Sequence, residues 1–94
     1  MSKAISFTVS GRVQGVGFRY ATAHEARSLR LGGWVKNESD GSVAGAATGP
    51  EDVLAKFVTF LKRGPSAARV DDLNVQSLTE DAAQRLPEQF EIRK

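Results

Sequence analysis

The stretch ISFTVSGRVQGVGFRYATAHEARSL, Ile5 to Leu29, changes its backbone period partway along, and that change sets the fold. Ile5, Phe7 and Val9 alternate with Ser6, Thr8 and Ser10 over Ala4 to Gly11, the period-two pattern of a strand with one buried face. From Gly17 or Phe18 to Leu29, Phe18, Thr22, Ala26 and Leu29 recur three or four apart and leave Glu25, Arg27 and Arg30 to solvent, which is the pattern of an amphipathic helix. Between the two lies GRVQGVGFR, Gly11 to Arg19. Glycines let the chain take φ > 0 and bring N–H groups close to a ligand, and the first helical turn offers N–H groups with no intrahelical partner. Arg19 adds a forked cation suited to phosphate oxygens.

Neither common nucleotide-binding motif is satisfied. The run lacks the Lys-Ser/Thr ending of a P-loop, and Tyr20 stands where a dinucleotide fingerprint needs its third glycine. On these residues alone, a phosphate cradle and a plain glycine-rich turn carrying a solvated arginine both remain open.

Beyond the helix, Gly32-Gly33 supplies a stop signal. Trp34–Asn37 and Ser42–Thr48 flank Glu38-Ser39-Asp40-Gly41, whose Asp-Gly pair suits a tight antiparallel hairpin. The pattern predicts that Gly49-Pro50-Glu51-Asp52 opens a second helix, with Val53, Phe57, Phe60 and Leu61 as its apolar stripe up to Gly64-Pro65. Lys62-Arg63 complements the negative end of its dipole. Val70–Leu78 and Phe90-Glu91-Ile92-Arg93 read as strands, and residues 79–87 as a polar loop. The order βαββαβ implies an α+β, ferredoxin-like sandwich: one domain over residues 1–94, with an antiparallel sheet of four or five strands and two helices on one face. In that layout the second strand is expected beside the first. Val43-Ala44-Gly45-Ala46-Ala47 is poor in β propensity, so its strand is either short and bulged or held by tertiary pairing.

Composition narrows the chemistry. The 94 residues contain no cysteine, which removes disulfides, thiolate nucleophiles and zinc–thiolate sites. The only histidine, His24, falls within the first helix pattern and reads as a solvated position, and no His or carboxylate cluster is spaced for a metal. Thirteen Lys and Arg against eleven Asp and Glu give a formal charge of +2 without a basic stripe, which disfavours nucleic acid. The N-terminus carries no apolar run of signal-peptide or membrane-span length, so a soluble cytoplasmic protein is expected.

GRVQGVGFR followed by GWVKNESDGSV resembles the acylphosphatase family, and the likeness extends to Gly49-Pro50 and the terminal Phe90-Glu91-Ile92. The resemblance implies an enzyme that hydrolyses a small-molecule acyl phosphate, acting as a monomer with no cofactor and no metal. It implies that the backbone amides of Gln14, Gly15, Val16, Gly17 and Phe18 wrap the phosphate together with the Arg19 guanidinium, and that Asn37 positions the attacking water. The Gln14 side chain is expected to brace the loop, and Trp34 to serve packing. A non-catalytic ferredoxin-like module binding phosphate or an anionic metabolite is the competing reading; it would have no use for Asn37.

Overall fold

The computed structural model describes residues 2–94. The chain runs through β1 (Ser2–Arg12), α1 (Phe18–Ser28), β2 (Gly32–Asn37), β3 (Val43–Pro50), α2 (Glu51–Arg63), β4 (Arg69–Ser77), a short α3 (Glu80–Gln84) and β5 (Glu91–Arg93). The sheet order is β4-β1-β3-β2-β5. Neighbours are antiparallel except for the edge pair β2 and β5, which is parallel. With α1 and α2 packed on one face, this is the ferredoxin-like α+β sandwich that the element order implies.

Alternation builds the core. Phe7 and Val9 of β1, Val35 of β2, and Val43 and Ala47 of β3 are buried together with Leu54, Phe57 and Leu61 of α2. Phe57 stands edge-on to both Phe7 and Phe90, with ring centroids 5.6 and 6.0 Å apart, an arrangement that adds to the stabilisation from burial alone. Glu51 and Asp52 occupy the first turn of α2, and Lys62 and Arg63 its last, matching the helix dipole at both ends.

Four local features differ from the sequence reading or sharpen it. First, β3 separates β2 from β1, because the split βαβ arrangement inserts the third strand between the first two. Second, α1 ends at Ser28, ahead of the two glycines. The Leu31 N–H donates to the Ala26 carbonyl at 2.9 Å and the Arg30 N–H to that of Arg27 at 3.0 Å, closing a Schellman motif. Arg30 holds its left-handed position at φ 60°. This early stop buries Leu31 and hands Gly32-Gly33 to β2.

Third, β3 keeps continuous register with both neighbours, so tertiary pairing overrides its weak propensity. The small residue at its centre is required by the packing: a Cβ on Gly45 would come within 2.5 Å of Phe7 Cζ and collide with the Trp34 carbonyl oxygen. The register shift falls between β1 and β4, where Ser10 and Gly11 pair with Asp72 and Val70 and pass over Asp71. Fourth, part of the expected 79–87 loop is helical. Thr79 caps α3 by accepting the Ala82 N–H at 3.2 Å. The chain then travels from β4 at one edge to β5 at the other, where Pro87 O accepts the Gly33 N–H at 2.9 Å. It therefore enters beside the start of β2, which makes β5 run parallel to that strand.

Candidate active site

The loop between β1 and α1 hangs from two buried anchors, Val13 and Phe18, each only 1% exposed. Between them Gly15 and Gly17 lie at φ 75° and 77°, the left-handed region that other residues enter at a cost. Nothing lies within 4 Å of where a Cβ would stand on either glycine, so conformation rather than crowding calls for them. Gly17 is the N-cap of α1 and offers no side-chain acceptor, and no acidic residue sits in the first turn. The leading N–H groups and the positive end of the helix dipole therefore meet neither a side-chain cap nor an acidic residue of their own turn.

Gln14 fixes the loop to a distant part of the chain. Its side-chain Nε2 donates to the carbonyls of Glu38 at 2.7 Å and Ser42 at 2.8 Å, both in the β2–β3 hairpin. The hairpin is itself locked: Asp40 Oδ1 accepts from Ser42 Oγ at 2.6 Å and from the Ser42 N–H at 2.9 Å. Those two bonds hold the Asp40 carboxyl below its ordinary value of 3.8, the hydroxyl contributing most.

Asn37 is the last residue of β2, half-buried, one residue before the Glu38 carbonyl that Gln14 engages. Its register partner is Val43, whose own partner in β1 is Val9, both buried on the helix-bearing face, so Asn37 belongs to that face. Arg19, in the first turn of α1, donates from Nη1 to the Arg93 carbonyl at 3.0 Å. Arg93 pairs with Lys36, the neighbour of Asn37. The structure thus brings Gln14, Gly15, Val16, Gly17, Phe18, Arg19 and Asn37 to one end of the molecule, where the loop, the helix start and the hairpin meet.

Sequence reasoning did not single out the Arg93 carbonyl, and no side-chain pattern could have revealed it. Two helical turns further on, the Arg27 guanidinium clamps the Phe90 carbonyl at 3.1 and 2.9 Å, so both ends of α1 are tied to the chain around β5. His24 is exposed on α1. Trp34 lies on the other sheet face, half-buried, with Arg93 and Lys36 cations 5.1 and 5.8 Å from its ring. Among the described residues no group of three His, Cys, Asp or Glu is placed to hold a metal, and no helix is long and apolar enough to cross a membrane.

Residues 5–92 match the family model described as Acylphosphatase. An acylphosphatase from Salinibacter ruber is 46% identical over 92 residues, spanning 98% of this chain and 94% of that relative. Among solved structures, an acylphosphatase from Bacillus subtilis superposes with a TM-score of 0.87 at 40% identity over the full length of both chains. One from Coxiella burnetii gives 0.88 at 38% identity, covering 98% and 93%.

Proposed function

The chain belongs to the acylphosphatase family and is an acylphosphatase hydrolase, and from that premise we propose that its loop amides and Arg19 hold the substrate phosphoryl group while Asn37 aims water at phosphorus. An acyl phosphate is already activated, since its carboxylate leaves readily, so the protein has chiefly to position water and stabilise charge on the phosphoryl oxygens. Water oxygen forms the new bond to phosphorus, and the bond from phosphorus to the acyl oxygen breaks with its electron pair leaving on the carboxylate. One water proton stays on the new P–OH and the other passes to a phosphoryl oxygen or to the leaving carboxylate, so no side chain is needed as general base.

In this reading the main-chain N–H groups of Gln14 to Phe18 and the free face of the Arg19 guanidinium surround the anion. Each preorganised donor aimed at growing charge contributes about 3–4 kcal/mol, so a few amides and one arginine supply most of the rate. The Asn37 carboxamide accepts from water while staying neutral, avoiding the repulsion that a carboxylate would exert on an anionic substrate. The observation that carries the proposal is the Gln14 strut, because it makes the loop and the end of β2 one rigid piece.

The test is release of carboxylate from a synthetic aryl acyl phosphate with chelator present. Arg19→Lys loses the fork, and kcat/KM is expected to fall by about 10²–10³-fold. Asn37→Ala is expected to lower kcat while competitive inhibition by phosphate stays near its original strength. Full kcat/KM in the lysine variant would overturn the Arg19 assignment; lost phosphate affinity with unchanged kcat would recast Asn37 as a ground-state ligand.

A further inference from the structure

We infer that Thr22 is a positioning residue for the Asn37 carboxamide, an inference that rests on the water-positioning reading of Asn37. Thr22 is wholly buried in α1, and its hydroxyl oxygen Oγ1 has no hydrogen-bond partner among the described residues. An orphaned hydroxyl in a core costs stability, and valine would fill the same space without that cost. The surroundings narrow what the hydroxyl could meet. The sheet positions sharing the helix-bearing face in β2 and β3 are Gly33, Val35, Asn37, Val43, Gly45 and Ala47. Partnered with Val35 on the same face of β5 is Ile92. Asn37 alone among them carries a hydrogen-bonding side chain.

The direction of α1 agrees. Arg19 reaches Arg93, which pairs with Lys36, whereas Arg27 reaches back to Phe90, so α1 runs opposite to β2. Thr22 lies one turn into the helix from Arg19, and helical side chains lean toward the N-terminus, here toward the Asn37 end of β2. The bonds bracing this corner belong to Gln14, Asp40 and Ser42, and the Asn37 carboxamide is not among them. When water and substrate occupy the cradle, the carboxamide must hold one orientation. In that occupied state the Thr22 hydroxyl donates to the Asn37 side-chain oxygen or accepts from its NH₂ and fixes that orientation from the core side.

Thr22→Val separates this role from packing. The expected result is a thermal midpoint equal to or above wild type, kcat lowered about five- to ten-fold, and unchanged inhibition by phosphate. Thr22→Ser, which keeps the hydroxyl, restores most of the turnover. In an Asn37→Ala background Thr22→Val should add almost nothing. The Asn37 side-chain NH₂ resonance, followed through a titration with inorganic phosphate, should move less in Thr22→Val than in wild type. Full kcat in Thr22→Val, or the same loss with and without Asn37, would overturn the coupling. Undiminished turnover in Asn37→Ala would instead sink the water-positioning reading itself, and this proposal with it.

Discussion

Gln14→Ala breaks the tie between the β1–α1 loop and the hairpin, and its cost follows from what each abandoned carbonyl retains. Glu38 O keeps the Gly41 N–H at 3.2 Å, and Ser42 O keeps the Glu38 N–H at 2.8 Å. Neither acceptor is orphaned, so the penalty for a buried unsatisfied group does not apply. What is lost is two neutral hydrogen bonds, together about 2 kcal/mol. Urea unfolding should show the midpoint moving down with an unchanged slope. Because the loop then floats relative to Asn37, kcat on an aryl acyl phosphate should fall more than phosphate affinity. Gln14→Glu is the sharper version: a carboxylate would set an acceptor against two carbonyl oxygens now 2.7 and 2.8 Å from the amide nitrogen, and should cost more than alanine at neutral pH. Unaltered stability with weakened phosphate binding in Gln14→Ala would refute the strut and make this side chain a ligand of the substrate.

Asp40 gives a pH dependence of known sign. Its folded pKa is depressed by the Ser42 bonds, so its contribution is present above the ordinary value of 3.8 and is lost as pH falls through the lower folded value. Asp40→Asn should flatten this part of the acid limb in urea titrations between about pH 5 and 2, and an acid limb identical to wild type would refute the assignment. Arg30→Gly relieves a left-handed residue at the end of α1 and should raise stability by about 0.5–1 kcal/mol in the same assay; a loss would mean that Arg30 side-chain contacts outweigh the strain. Gly45→Ala forces a methyl into the Phe7 ring and the Trp34 carbonyl and should cost about 2 kcal/mol or more, with Phe7→Leu in the same chain restoring part of it. Wild-type stability in Gly45→Ala would show that the strands yield there.

The elements were legible wherever a local signal was strong. Period-two alternation over Ile5–Val9, the helical spacing from Phe18 and the Asp40-Gly41 turn each name their structure without help from elsewhere. Thr79-Glu80-Asp81 also carried a helix-start signal, a capping threonine with acids behind it, but a five-residue helix is too short for its apolar spacing to register. The exit from α1 misled because glycine is the usual left-handed residue and Arg30 took that place instead. Strand neighbours beyond the hairpin were a different matter: the Asp40-Gly41 turn pairs β2 with β3, but nothing in either strand says which of the two lies beside β1, since either would bury the same face.

Within the site the same division holds. Glycine spacing and Arg19 stood out as residue types, whereas the contacts that tie them down end on main-chain carbonyls. Gln14 reaches acceptors 24 and 28 positions away, and Arg19 one that is 74 away. A carbonyl has no letter in the sequence, so such partners become visible only after folding. Thr22 is the converse case, since its methyl fits the apolar stripe of α1 and conceals a hydroxyl that is conspicuous only once burial is known.

In the proposed mechanism, a cradle built from main-chain donors shifts the burden of specificity away from the residues that touch the anion. Replacing Val16 leaves its N–H in place, so substitutions inside the loop should matter chiefly through φ, at Gly15 and Gly17. The side chains that hold the loop at a distance carry the rest: Val13 and Phe18 by burial, Gln14 through the hairpin, and Arg27 by keeping the chain entering β5 where its far end can receive Arg19. Preorganised dipoles act without reorganising during reaction only if they are held this way. In a domain this small, part of the core and the scaffold of the proposed site are therefore the same residues.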